Sequence, residues 1–153
     1  MSLANAFAAE LAQRLSNIST ANGYATDIGL RTFRGRRRLD AQQLPCAVVI
    51  ERPDEPVSQN GSKVKTLRKY VLEGHAKCDP DNPNDVGHDL LSDIKRAVFA
   101  GAIGIDARLS AGNVKSYSLT YSGSSIAPRD DGLDVVSASV EVALEFVEDL
   151  SNP

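Results

Sequence analysis

A chain of 153 residues with a formal net charge of −3, 42% hydrophobic and 24% charged residues has the composition of one soluble globular domain, expected to span residues 1–153. The size excludes two independent enzyme domains, and the acidic balance excludes general nucleic-acid binding by the whole surface. An aromatic content of 5%, with no tryptophan, leaves little material for a platform that stacks single-stranded bases.

Along the chain, Leu3, Phe7, Leu11, Leu15 and Ile18 recur at steps of four or three and predict a helix over residues 3–20. Ser2 is placed to cap it, and Asn22-Gly23 supplies a left-handed stop. Residues 25–35 alternate loosely, with Ile28, Leu30 and Phe33 inward, which predicts an irregular strand. After Pro45, the apolar run 46–51 predicts a central strand covered on both faces. Residues 52–63 combine two prolines with Asn60-Gly61 and predict a long loop. From 64 to 76, Val64, Tyr70, Leu72 and Ala76 alternate with Lys65, Lys69, Glu73 and His75, a strand with one wet face.

The turn-rich stretch 77–85 leads into a helix over about 86–99, capped by Asn84 or Asp85 and ended by Gly101 and Gly104. Strands are expected over 114–122 and 134–148, the second with Val136, Ala138, Val140, Val142, Leu144 and Phe146 on one side. The order helix, three strands, helix, two strands predicts an α+β fold: an antiparallel or mixed sheet of about five strands with two α-helices packed on one face.

Cys46 and Cys78 are a single pair, unlike the dense framework of small secreted domains, and are expected as reduced thiols. The first ten residues lack a basic region and are interrupted by Asn5 and Glu10, so no signal peptide is expected. No segment reaches the roughly 18 apolar residues that span a bilayer. A cytoplasmic site of synthesis without a membrane partner is the expectation.

The densest charge feature is Arg31, Arg34, Arg36, Arg37 and Arg38, five arginines in eight residues. Such a run repels itself unless an anion compensates, whether the protein's own carboxylates, a partner protein or a DNA backbone. His75, Cys78, Asp79 and His88 lack the paired spacings of a structural zinc site. Asp79, Asp81 and Asp85 are interrupted by Pro80 and Pro83, without the glycine and closing glutamate of a calcium loop. No phosphate-binding, dinucleotide or nucleophile-elbow motif is present. No catalytic residue, metal or cofactor is therefore expected. The alternative is a small enzyme or ligand-binding domain built on His75, Cys78 and Asp79; a third reading is a regulator that grips duplex DNA with the basic segment.

The residues 22–29 (Asn-Gly-Tyr-Ala-Thr-Asp-Ile-Gly), Arg34-Gly35-Arg36, the run 44–50, the strand end Ala76-Lys77-Cys78-Asp79-Pro80, and Asp93-Ile94-Lys95-Arg96-Ala97 stand in an order that resembles the tail terminator or minor tail proteins of long-tailed bacteriophages and prophages. The resemblance covers nearly the whole chain and rests on order and spacing. It implies a virion protein of the tail, assembled in the host bacterial cytoplasm. Such proteins form a ring, typically of six subunits, on the tail tube, stopping its growth and presenting a face to the head-completion or connector protein. DNA passes non-specifically through the lumen. Another tail-completion or head–tail connector role is the neighbouring reading. On the tail-terminator resemblance, Arg31, Arg34, Arg36, Arg37, Arg38, Lys63 and Lys65 are expected to reach a neighbouring subunit, the tube or the lumen. Asp130-Asp131, or Glu145, Glu148 and Asp149, are the expected acceptors of a heterologous interface.

Overall fold

In the computed structural model, residues 2–100, 104–108, 114–127 and 134–153 are described, with 104–108 and 114–116 by their backbone alone. Helix α1 (Leu3–Ser16) begins where the Asn5 N–H donates to the Ser2 hydroxyl, as the sequence predicts. It buries Phe7, Ala8, Leu11 and Leu15 and ends about one turn short of residue 20. The chain instead tightens into a 3-10 turn, Thr20–Asn22, closed by Gly23 at φ 82°. Asp27 holds that turn by accepting from the Thr20 N–H and hydroxyl at 2.8 and 3.0 Å.

The irregular strand expected over 25–35 is mostly absent. Ile28–Leu30 is a second 3-10 turn that leaves Leu30 67% exposed. The cause is a close backbone approach. The Gly29 N–H donates to the Ile18 carbonyl at 2.9 Å, and a Cβ at Gly29 would stand 2.4 Å from the Leu15 carbonyl oxygen. Only Thr32–Arg34 (β1) is extended, and it lies parallel to the start of strand β2 (Cys46–Asn60).

Residues 52–60 correct the loop expectation: they continue β2, antiparallel to strand β3 (Lys63–Lys77). Prolines are tolerated because β1 covers β2 only at residues 47–49, leaving the rest as a sheet edge where a missing N–H costs no ladder bond. The register shifts between Glu51 and Asp54, around Pro53, and again between Pro56 and Ser58. Gly61 at φ 62° and Ser62 then form a two-residue turn between the paired Asn60 and Lys63.

Helix α2 (Pro83–Phe99) starts slightly earlier than expected, with Pro83 in its first turn, where a missing N–H has no intrahelical partner to lose. Strand β4 (Gly104–Arg108) was not expected; β5 (Val114–Ile126) and β6 (Val135–Asp149) were, with β5 four residues longer. The sheet order is β1-β2-β3-β6-β5-β4, parallel only at β1–β2. This is the expected α+β class, a mixed sheet with both helices on one face.

The core lies between that face and the helices. Tyr70, Leu72, Val140, Val142 and Leu144 meet Phe7, Leu11, Leu90 and Ile94, all fully buried. Each large apolar side chain contributes about 1.5–3 kcal/mol by leaving water. Phe7 packs edge-on against Tyr117 and Phe146 at centroid distances of 5.1 and 5.0 Å.

Among the polar residues buried with this core, Ser19, Thr66 and Asp93, only the last is charged. Asp93 on α2 is 4% exposed and accepts from the Ala25 N–H, the Thr26 N–H and the Thr26 hydroxyl at 3.1, 2.8 and 2.7 Å. One turn on, Arg96 donates to the Gly23 carbonyl at 2.8 Å and covers the Tyr24 ring at 4.4 Å. Asp93→Ala should lower stability by about 3 kcal/mol in urea unfolding, since it strands two backbone donors that a carboxylate satisfied.

Candidate functional site

The five arginines sit at the sheet edge, where β1 meets β2. The Arg31 carbonyl accepts from the Ala47 N–H at 2.9 Å, and the Gly35 N–H donates to the Val49 carbonyl at 2.8 Å, so both ends of β1 are pinned. Strand alternation then sorts the side chains. Arg34, in register with Val49, points to the helix layer and donates to the Asn5 side chain at 3.0 Å. Phe33, in register with Val48, points to the opposite face, where the Arg36 guanidinium covers its ring at 4.2 Å. Arg37 and Arg38 are exposed and follow without a hydrogen bond or ion pair to any described residue. The segment closes at a capping box between Asp40 and Gln43.

None of the five arginines forms an ion pair with a described carboxylate. Four carboxylates are engaged by other cations: Glu10 by Arg14, Glu145 by Lys65 at 2.9 Å, Asp54 by Arg68 at 3.7 Å, Glu141 by Lys69 at 4.0 Å. Lys65 is thus half of an exposed cross-strand pair on the open face of the sheet, and Lys63 lies at the hairpin tip. Eleven residues of β2 separate Val49, beside Arg34, from Asn60, beside Lys63, about 35 Å of strand. The seven basic residues named from the sequence therefore form no single patch.

Of the expected acceptors, Glu145 is taken by Lys65. Asp149 accepts from the Ser151 hydroxyl and N–H at 2.6 and 3.0 Å, which pulls its carboxyl below the usual carboxylate range. Glu148 has no ion pair among the described residues. Asp130 and Asp131 lie outside the described residues.

The hairpin of β2 and β3 is the second feature. Every residue of β2 from 51 to 60 is exposed. Val57 on β2 is 53% exposed, and beside the far end of the hairpin Val147 on β6 and Leu150 just after it are 54% and 53% exposed. Exposed apolar side chains gathered near one end of a sheet are the kind of surface that subunit contacts cover.

The residues of the enzyme alternative do not come together. His75 faces the open side of β3 while Cys78 packs beside the core, and Asp79 accepts from the Asp81 N–H in the turn beyond. His75 meets residues that sequence reasoning did not select. Its Nδ1 lies 2.6 Å from Ser137 Oγ and its Nε2 3.0 Å from Glu73 Oε2, so the imidazole bridges the serine hydroxyl and the carboxylate. Only the i, i+2 spacing of Glu73 and His75 hinted at this. The row resembles a relay for a nucleophile, but β3 and β6 are interior strands whose N–H groups serve the ladder, leaving no paired donors for an oxyanion. Among the described residues no group of three or more His, Cys, Asp or Glu side chains is placed to hold a metal ion. No described helix is long and apolar enough to cross a membrane.

Cys46, in register with His75, is fully buried and not bonded to Cys78. Burial pushes its thiol up to about 11, against the pull of Arg31, with Glu73 adding to the rise. Burial likewise pushes the Tyr70 hydroxyl up to about 12, Arg68 opposing.

Compared with known proteins, the chain matches no family model, and no curated protein is significantly similar to it.

The raised thiol and phenol give a pH prediction with a definite sign. The unfolded chain releases these protons from 9 and 10, the folded one only near 11 and 12. Their stabilising effect is full below pH 9 and is lost as pH rises through 12. Urea midpoints should fall monotonically over that window, and the fall should shrink in Cys46→Ala. Iodoacetamide should leave Cys46 unmodified at pH 8 until the chain is unfolded.

Proposed function

We propose that this protein is a tail terminator of a long-tailed bacteriophage or prophage. It forms a ring, of six copies on the family pattern, that caps the tail tube, halts its elongation and receives the head-completion protein. DNA passes through the lumen without base-specific contact. The observation that carries the reading is the exposed segment of five arginines with no carboxylate partner among the described residues, in a chain whose net charge is −3. A run of guanidinium groups left unneutralised on a rigid edge is fitted to meet an anionic surface supplied from outside.

The order of the recognised segments is the second support, and the fold gives several of them a structural task. Residues 22–29 are the strap held by Asp93, Arg96 and the Gly29 approach. The strap sets where β1, and with it the arginine segment, leaves the helix layer. The end of the sheet at the β2–β3 hairpin supplies a long projection with Val57, Val147 and Leu150 exposed, suited to reach a neighbouring copy or the tube. Binding residues carried at the margins of a rigid scaffold follow the usual division of labour.

Two measurements test this. Electron microscopy of purified tail tubes mixed with the protein should show a ring at one end and arrested elongation; tubes that remain bare and keep growing would sink the reading. Replacing Arg34, Arg36, Arg37 and Arg38 by Ala should change stability by only about 0.5 kcal/mol, as exposed substitutions do. The same variant should sharply reduce infectious particles, and wild-type titres would count against it. Salt separates two ways of using the arginines. Contact between subunits predicts ring assembly that weakens with salt and no DNA retention, whereas contact with a DNA backbone predicts salt-dependent DNA retention by the ring.

A further inference from the structure

The arginine segment has further unpaired donors beside it. On the same side of the sheet as Arg34, Tyr70 is fully buried and its hydroxyl has no hydrogen-bond partner, and the Arg68 Nε is buried without one. Arg68 already meets Asp54 at 3.7 Å through a terminal nitrogen, so the charge left unmatched here is that of the exposed arginine segment itself. A carboxylate suits the exposed guanidinium groups of the segment, being planar, charged and able to take two of their hydrogens at once.

The molecule carries a complementary surface at another place in its fold. Where β3 passes into α2, Asp79, Asp81, Asp85 and Asp89 are all exposed, and none forms an ion pair with a described cation. Asp134 joins them, since its carbonyl accepts from the Cys78 N–H at 2.7 Å. Lys77 is the neighbouring cation. Asp85 and Asp89 are one helical turn apart on α2 and so present one face. By contrast, the acidic residues of β2, Glu51, Asp54 and Glu55, are interleaved with Arg52 and set against Arg68, which leaves them less net charge to offer.

We infer that, in the ring proposed above, the Asp81–Asp89 surface of one copy docks on the Arg34–Arg38 segment of the next. The two patches are different, oppositely charged and without an ion pair among the described residues of one copy, which is what a head-to-tail interface requires. A second copy is favoured over the tube because both halves of the contact are present in this chain. The inference rests on the ring reading, and the experiment separates the two.

Three proteins are mixed with tail tubes and scored by electron microscopy, with sedimentation at low and high salt: wild type, Arg36→Glu/Arg37→Glu/Arg38→Glu, and Asp81→Lys/Asp85→Lys/Asp89→Lys. Circular dichroism checks that each is folded, and Asp81→Lys/Asp89→Lys replaces the last should its helix start fail. Each variant alone should lose ring formation by about a hundredfold or more in concentration, because like charges then face each other. An equimolar mixture of the two should regain rings, since negative patches again meet positive ones around an even-numbered circle. A wild type that caps no tubes overturns the ring reading and this inference with it. Rings formed by either variant alone, or a mixture that stays unassembled while wild type caps tubes, overturn only this inference.

Discussion

The fold depends on the hold that α2 keeps on the segment leaving α1. Asp93 is a carboxylate taken out of water, and such burial is costly unless each lone pair finds a donor. Three donors from Ala25 and Thr26 supply that need, so the ion and the strap can only be satisfied together. Arg96, one turn away, adds the Gly23 carbonyl and the Tyr24 ring. With the strap fixed, Gly29 can press against the end of α1, and β1 enters the sheet beside Ala47 in one register. The arginine segment inherits its position from this chain of contacts, although none of its own side chains contributes to the core.

The same sheet supplies both rigidity and restraint. Beyond Val49 the edge of β2 is unpaired, a row of backbone groups that would invite another strand. Pro53 and Pro56, two register shifts and the charges of Glu51, Arg52, Asp54 and Glu55 interrupt that row. On the ring reading proposed above, the chain has reason to resist strand addition, since it must not polymerise before its template is ready. The hairpin can therefore project while contact is left to side chains.

Where the sequence carried a period, the fold could be read from it. The α1 and α2 stripes and the alternation of β3 and β6 follow from side-chain geometry alone, and these elements occur as expected. The stretch 52–60 misled because prolines and Asn-Gly mark a loop only if every strand position needs its N–H, and an edge does not. Residues 28–30 misled because their conformation is set by a contact with Ile18 and Leu15, which lie ten or more residues away. β4, five residues long, has too few positions to show a period. For the site, the arginine run was legible as composition, and its lack of partners was not. Which carboxylates a cation meets depends on register, as Lys65 opposite Val147 but paired to the adjacent Glu145 illustrates.

Charge on this protein is sorted. On the open face of the sheet it is cancelled locally: Lys65 with Glu145 and Lys69 with Glu141. At the β1 edge and at the β3–α2 turn it is left unpaired and of opposite sign. Two unit charges about 10 Å apart in water repel by only about 0.4 kcal/mol, and salt reduces this further. Five arginines therefore cost the isolated domain little, and the fold tolerates them at an edge without internal neutralisation. Once that edge is enclosed against another protein, the effective dielectric falls and each unmatched charge becomes expensive, while each matched one gains. A segment of this kind is nearly neutral to folding and highly selective in assembly, because it penalises every docking that does not bring carboxylates to it. That asymmetry, mild alone and strict in contact, is what a ring component needs if it is to remain dispersed until a tube end gathers its copies together.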